Sequence, residues 1–340
     1  MRIAIDAMGG DHAPAVNVDA AVAALREFGI SSLLVGKERV LAPMLAEAGY
    51  RGSEIEIVDA AEVVTMEDPA TAAIRKKRNS SIRIAANCVR DGRAEGLVSA
   101  GHTGAGMVCA KMVIGTIEGV DRPALATVLP NLRGHCLLLD VGANPDAKTA
   151  QFREFAVMGS IYAQLAFGKK APSIGLMSIG EEDSKGTDET KEAFKILEAT
   201  GLNFVGNVEG RDVFNGTVDV IVTDGFTGNV ILKVSEALAE MVENLLREEI
   251  KRTLQASVGF LLSRSAFRRF KQRLDYSEYG GAPLLGVKGC VIICHGRSSA
   301  KAVKNAVRFA AEFSKRRLAD SIQAQIAELH SREATFSKAT

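Results

Sequence analysis

Short apolar runs recur along this chain, and nearly every one ends in a turn rich in Gly, Asn, Asp, Ser or His before a helical pattern begins. RIAID at 2–6 leads into AMGGDHAP and an Ala-rich helix to about Glu27; LLVG at 33–36 and EIEIVD at 54–59 repeat the rhythm. Strands this apolar, separated by helices, must be covered on both faces. That predicts an α/β protein with three α/β/α layers around a large, mainly parallel sheet. ALATVL at 124–129 and HCLLLDVG at 135–142 flank the turn PNLRG and read as a hairpin, so the sheet is mixed. The runs sum to about ten strands.

With 340 residues, 47% of them hydrophobic, the chain can bury one large core, and no low-complexity linker or internal repeat divides it. We expect a single catalytic unit over 1–335 built of two interwoven subdomains, a helical segment at 230–275 protruding from it, and a frayed tail at 336–340. A net charge of +1 and the absence of Trp disfavour nucleic acid as a partner. No basic and apolar leader precedes the first strand and no apolar run reaches the length of a membrane span, which reads as a cytosolic protein. Cys88, Cys109, Cys136, Cys290 and Cys294 are scattered in mostly apolar runs, as buried free thiols are in a reducing compartment.

SAGHTGAG at 99–106 is the turn richest in meaning. Gly101, Gly104 and Gly106 have no Cβ, so backbone N–H groups there can turn toward an anion beside the partial positive charge of the helix that follows. With His102 and Thr103 this is a candidate phosphate-binding turn, although the same glycines also serve tight packing. GGDH, GANPD, GEEDSKGT, GNVEG, TDGFTGN and HGRSS stand at further strand ends, and open α/β sheets bind ligands at the carboxyl ends of their strands. The seven turns are therefore expected to converge on one cleft that includes His12 and His295, with Asn144 among the residues that bind phosphate; turn chemistry alone accounts for any one of them. GEEDSKGT adds Lys185 between Ser184 and Gly186, with Thr187 at a helix start, a cation suited to clamping phosphate or a developing oxyanion. Its alternative is solvation beside Glu181, Glu182 or Asp183. Asp224 and Asn229 frame GFTG, where they can orient a substrate or cap the next helix.

Other chemistries lack their signatures. GxGxxG does not follow the first strand, SKGT lacks the Walker order, and neither GxSxG, HExxH nor CxxC occurs. Cys109, the thiol nearest a glycine turn, sits inside an apolar run and reads as core.

Taken together, DAMGGDHAP, SAGHTGAG, LDVGANPD, SIGEEDSKGTDET, GNVEGRD, TDGFTGNVILK, YGGAPLLGV and HGRSSAKAV, in this order over residues 1 to about 315, resemble the PlsX family of bacterial phosphate acyltransferases. The resemblance implies an isocitrate/isopropylmalate dehydrogenase-like fold without nicotinamide, metal or other cofactor. It implies transfer of a long-chain acyl group from acyl carrier protein to inorganic phosphate, giving an acyl phosphate for phospholipid synthesis. TDGFTGNVILK and HGRSS also resemble strand-exit turns of phosphotransacetylases, which implies Asp224, Asn229, Arg297 and Ser298 as cleft residues. Lys185, Asp224, Asn229 and His12 are then the catalytic candidates. The alternatives are a phosphotransacetylase-like enzyme acting on acyl coenzyme A and a non-catalytic sensor of acyl carriers or lipid.

Two stretches suggest partners. ILKVSEALAEMVENLL, after Asn229, carries more apolar positions than one core-facing stripe needs, which suggests a homodimer. SVGFLLSRSAFRRFKQRL at 257–274 reads as a basic amphipathic helix or helix pair, with Phe260, Phe267, Phe270 and Leu274 on one stripe and Arg264, Arg268, Arg269, Lys271 and Arg273 around it. An acidic acyl carrier protein and an anionic membrane surface both suit it, the second making the protein peripherally membrane-associated beside a downstream membrane acyltransferase.

Overall fold

The computed structural model describes the backbone of residues 1–274 and 280–337 and the side chains of 1–71, 74–270 and 280–329. The chain opens with β1 (Arg2–Asp6), α1 (Ala15–Phe28), β2 (Ser31–Gly36), α2 (Glu38–Glu47) and β3 (Ile55–Asp59). A short α3 (Ala70–Arg75), α4 (Ser81–Arg90), β4 (Gly96–Ser99) and α5 (Thr103–Cys109) follow, and a π-helical turn at Ala110–Ile114 extends α5. Then come the expected hairpin, β5 (Ala124–Asn131) and β6 (Gly134–Leu139), and α6 (Thr149–Phe167), β7 (Ile174–Met177), α7 (Asp188–Glu198), β8 (Phe204–Val208), α8 (Asp212–Asn215) and β9 (Val220–Val222). Three helices, α9 (Gly225–Arg252), α10 (Leu254–Leu262) and α11 (Arg264–Leu274), precede β10 (Ala282–Leu285), β11 (Cys290–Ile293), α12 (Ala300–Lys315) and α13 (Leu318–Ser337). Helix α13 reaches Ser337, so the first two residues of the expected frayed tail are helical, and 338–340 lie outside the described residues.

The eleven strands among the described residues join one sheet in the order β3-β2-β1-β4-β11-β10-β5-β6-β9-β7-β8. The strand beyond the expected ten is β10, in the motif APLL, where Pro283 hides it because proline cannot donate to a ladder. The fold accommodates that loss by splitting its pairs: Ala282 and Pro283 face β11, whereas Leu284 and Leu285 face β5.

Strands β3, β2, β1, β4 and β11 run parallel, β10 reverses, and β6, β9, β7 and β8 form a second parallel block pointing opposite to the first. Twist brings the two blocks back together. Six steps separate β1 from β9 in the sheet order, and at roughly 20–25° each they accumulate roughly 120–150°. The carboxyl ends of both blocks thus swing toward one side.

Alternation along the strands divides the interior into two apolar layers. Ile3 and Ile5 belong to one layer together with residues of α1, α6 and α12, while Ala4 belongs to the other with residues of α4 and α5. All five cysteines are free, and burial pushes the thiols of Cys109, Cys136, Cys290 and Cys294 up to about 12, which makes them inert apolar filling.

Candidate active site

A compact cavity of 370 Å³ lies where the two blocks meet. Thr103 and His295, with Ser298, enter it from the first block; Gly142 and Asn229 enter from the second; Gly280 and Gly281, before β10, complete the wall. Four of the seven expected turns therefore contribute side chains or backbone to cavity walls, as HGRSS, SAGHTGAG, the turn after β6 and TDGFTGN.

Each half fixes its turns with one buried aspartate at the end of an apolar strand. In the first half, Asp6 closes β1, and its Oδ2 accepts the Ser99 hydroxyl at 2.8 Å while Ser99 Oγ accepts the Gly101 N–H at 3.1 Å. A methyl group on Gly9 would lie 2.6 Å from that carboxylate oxygen and 2.8 Å from the Gly101 nitrogen, so only two glycines allow the first and fourth strand exits to stack. The Asp11 N–H donates to the Gly296 carbonyl at 2.8 Å, joining the HGRSS turn to the same unit. Burial raises the Asp6 pKa above its ordinary 3.8. Its contribution to stability is full below that ordinary value and declines as pH rises through the raised one.

In the second half, Asp140 follows β6 and is fully buried. It accepts four N–H bonds: Leu125 N at 2.8 Å, Ala143 N at 3.1 Å, Asn144 N at 2.6 Å and Asn144 Nδ2 at 3.0 Å. Burial raises its pKa, and the N–H donors oppose that rise. The Gly225 N–H donates to the Asn144 carbonyl at 2.8 Å, which docks the first turn of α9 onto the Asp140 turn. Asp224 caps α9, its Oδ1 accepting the Thr227 N–H at 2.8 Å, and Asn229 then faces Gly142 across the cavity wall.

The remaining expected residues divide clearly. His295 Nδ1 accepts the Arg297 N–H at 3.2 Å, so in the neutral ring Nε2 carries the proton; Arg297 lines the larger cavity described below. His102 caps α5, its Nδ1 accepting the Ala105 N–H at 3.3 Å, and neither Gly101, in the turn, nor Gly104, in the first turn of α5, lines the wall. Asn144 is committed internally, its amide donating to Pro123 O at 2.8 Å as well as to Asp140. His12 is exposed and lines neither cavity.

Ser184, Lys185, Gly186 and Thr187 do not line either cavity, and Lys185 is exposed. Their strand, β7, stands beyond β9 toward the sheet edge, and the turn instead contacts the exit of β8, with Asn207 Nδ2 donating to Glu182 O at 2.7 Å and Arg211 paired with Glu181. Thr187 caps α7.

A second cavity of 1140 Å³ shares Lys233, Glu236, Ala239, His295, Ser298 and Ala302 with the first. Leu246 and Ile250 of α9 and Phe260, Phe267 and Phe270 give its far end apolar surface, interleaved with Glu243, Arg247 and Lys251. The continuous stripe expected for 257–274 is broken at Ser263, which ends α10 and lets α11 fold back. Phe260 and Phe267 consequently pack against each other with tilted rings, centroids 4.9 Å apart, and line the cavity together with Arg264 and Arg268. Arg269 stays exposed; the side chains of Lys271, Arg273 and Leu274 lie outside the described residues.

Over residues 1–320 the chain matches the family model described as "Fatty acid synthesis protein". It is 52% identical over 316 residues to a phosphate acyltransferase of Geotalea daltonii, covering 93% of this chain and 91% of that protein. The chain belongs to the phosphate acyltransferase (PlsX) family. To a second family member, from Geobacter sulfurreducens, it is 50% identical over 329 residues, with 96% and 95% of the two chains covered. The fold is shared more widely: a phosphotransacetylase from Streptococcus pyogenes superposes with a TM-score of 0.65 at 17% identity, covering 93% of this chain and 94% of that one. EutD phosphotransacetylase from Staphylococcus aureus gives 0.61 at 17% identity, with 92% and 94% covered. The protein is thus an enzyme with the phosphotransacetylase architecture. Among the described residues no helix is long and apolar enough to cross a membrane.

Proposed function

We propose that this enzyme transfers a long-chain acyl group from acyl carrier protein to inorganic phosphate, forming an acyl phosphate for phosphatidic acid synthesis. The observation that carries the reading is a pair of cavities that share Lys233, Glu236, His295 and Ser298: a compact one in which Thr103, Asn229, His295 and Ser298 stand among apolar residues, and a larger one that holds Phe260, Phe267 and Phe270 beside several charged side chains. A head group held at the shared residues leaves the larger cavity for a fatty chain. At 1140 Å³ the larger chamber exceeds the roughly 300–1,000 Å³ that suits a drug-sized ligand, which favours a long acyl group over acetyl.

The chemistry asks little of acid or base residues. Phosphate is already an anionic nucleophile near neutral pH, and a thiol with a pKa of roughly 8.5 is a good leaving group, so positioning and charge stabilisation suffice. Incubation with phosphate and palmitoyl thioesters of carrier protein or coenzyme A, followed by hydroxylamine trapping, should yield palmitoyl hydroxamate, with acetyl-coenzyme A much poorer. Acetyl as the preferred group would reassign the enzyme to phosphotransacetylation, and no hydroxamate from any thioester would leave a sensor. We further propose that the exposed 181–187 turn carries Lys185 to bound phosphate; Lys185→Ala then loses turnover with its fold intact, and near-normal turnover rejects that movement.

Two surfaces support further parts of the reading. Phe226, Val230, Val234, Leu238, Met241 and Leu245 of α9 are all exposed and recur at helical spacing, away from the cavity-facing residues. This stripe is the proposed homodimer surface, and Val234→Glu with Leu238→Glu is expected to halve the mass seen by light scattering; an unchanged dimer would exclude the stripe. At the other end of the excursion, Leu254, Leu261 and Leu262 are 81%, 67% and 82% exposed on α10, beside the arginines of α11. An apolar tip with cationic flanks suits an anionic bilayer, giving a cytoplasmic enzyme held at the membrane surface. Leu261→Glu with Leu262→Glu should abolish sedimentation with anionic vesicles and leave soluble thioester turnover intact; undiminished sedimentation would return the tip to mere scaffold.

A further inference from the structure

Lys233 and Glu236 occupy the junction of the two cavities and line both. They follow Asn229 on α9 at spacings of four and seven residues, so the three side chains share one helical face. Lys233 is the only lysine or arginine among the described residues that line the compact chamber. Its ammonium donates to Glu236 Oε2 at 2.8 Å, and its side chain is 51% exposed, open to the cavity side.

We propose that Lys233 is the cation that holds the phosphoryl group at the junction, with Glu236 the counter-ion it leaves when substrate arrives. The assignment rests on the acyl-phosphate reading only for the reaction, and on Lys233 being the one cation among the described lining residues for the anion. If the fatty chain lies in the larger chamber and phosphate in the smaller one, the reacting carbonyl sits between them, where Lys233 stands. An oxygen of hydrogen phosphate attacks the carbonyl carbon; the new C–O bond forms, the C–S bond breaks with its electron pair going to sulfur, and the proton released by phosphate ends on the thiolate. Negative charge builds on the carbonyl oxygen during this step, within reach of a cation that has already drawn in the phosphate. An exposed lysine–glutamate pair three residues apart on a helix contributes little. Exchange of Glu236 for a phosphate dianion, a stronger charge-assisted acceptor, is therefore easy.

Lys233→Met in the full-length enzyme is expected to raise the KM for phosphate about tenfold or more and to lower kcat by about 100-fold, with the thioester KM little changed. Lys233→Arg should restore a substantial part of both, and Glu236→Gln should bind phosphate at least as well as the parent. Calorimetric titration with inorganic phosphate reads the same site without turnover: the parent binds and Lys233→Met does not. Phosphate binding and phosphate KM within about twofold of the parent in a folded Lys233→Met enzyme would overturn the proposal. Phosphate binding that depends on Lys233 in a parent enzyme forming no acyl phosphate would support it while rejecting the acyl-transfer reading.

Discussion

Gly228→Ala is expected to yield an enzyme with at most about one hundredth of parental turnover and a stability lower by about 4 kcal/mol or more, if it folds at all. A methyl group at Gly228 would lie within 3.0 Å of the carbonyl carbon and oxygen of Asp140 and of Thr223 Cγ2. Two of those three atoms are backbone, in a turn pinned by four hydrogen bonds, so the neighbours cannot yield and α9 itself must lift. The lift would displace Asn229 and Lys233 together, since they sit on the second and third turns of that helix. Gly259→Ala is the control: nothing lies within 4 Å of a methyl there, and in α10 the change should stabilise by about 0.5–1 kcal/mol. Thermal unfolding and hydroxamate yield for the two variants check the contrast; a Gly228→Ala enzyme of parental stability would mean that the α9 contact is not tight in solution.

Asp140→Ala should be the most damaging single change that adds no bulk. It leaves the backbone N–H groups of Leu125, Ala143 and Asn144 without their acceptor in a site closed to water, and the Asn144 amide with Pro123 O alone. At about 1–3 kcal/mol for each buried donor left unpaired, even partial relaxation leaves a loss of at least about 3 kcal/mol. Asp140→Asn repairs the shape but presents an NH₂ where donors already point, so it should fare little better. A thermal midpoint lower by roughly 5–10 °C is the expected reading. A shift under about 2 °C would show that the turn is held by its glycines and backbone instead.

Much of the architecture was legible because it depends on local pattern: apolar runs, the hairpin around PNLRG and the glycine exits all reappear in place. The sheet order was not. Nothing local in KGCVIICHGRSS says that β11 lies between β4 and β10, since that choice is made by burial across the whole molecule. Three of the seven glycine turns, at the exits of β1, β7 and β8, line neither cavity; β7 and β8 stand at the far end of the sheet, away from the seam. Lys233 is hidden inside ILKVSE, where the apolar pattern dominates, although its distance of four residues from Asn229 is a usable signal. Asp6 and Asp140 had one as well: an acid closing an otherwise apolar strand, directly before a glycine-rich turn, is poorly explained by turn chemistry alone.

The place of β11 also governs how the chain can fold during synthesis. After Ser99 leaves the ribosome, the free edge of β4 waits for a partner that begins at Cys290, roughly 190 residues later. At about 5–20 residues per second that interval is roughly 10–40 s. Throughout it a buried apolar strand presents unpaired backbone, the hazard that edge strands pose for aggregation. Newly made chains should therefore depend on holding chaperones in a way that the finished enzyme, its sheet closed by its last strand, does not.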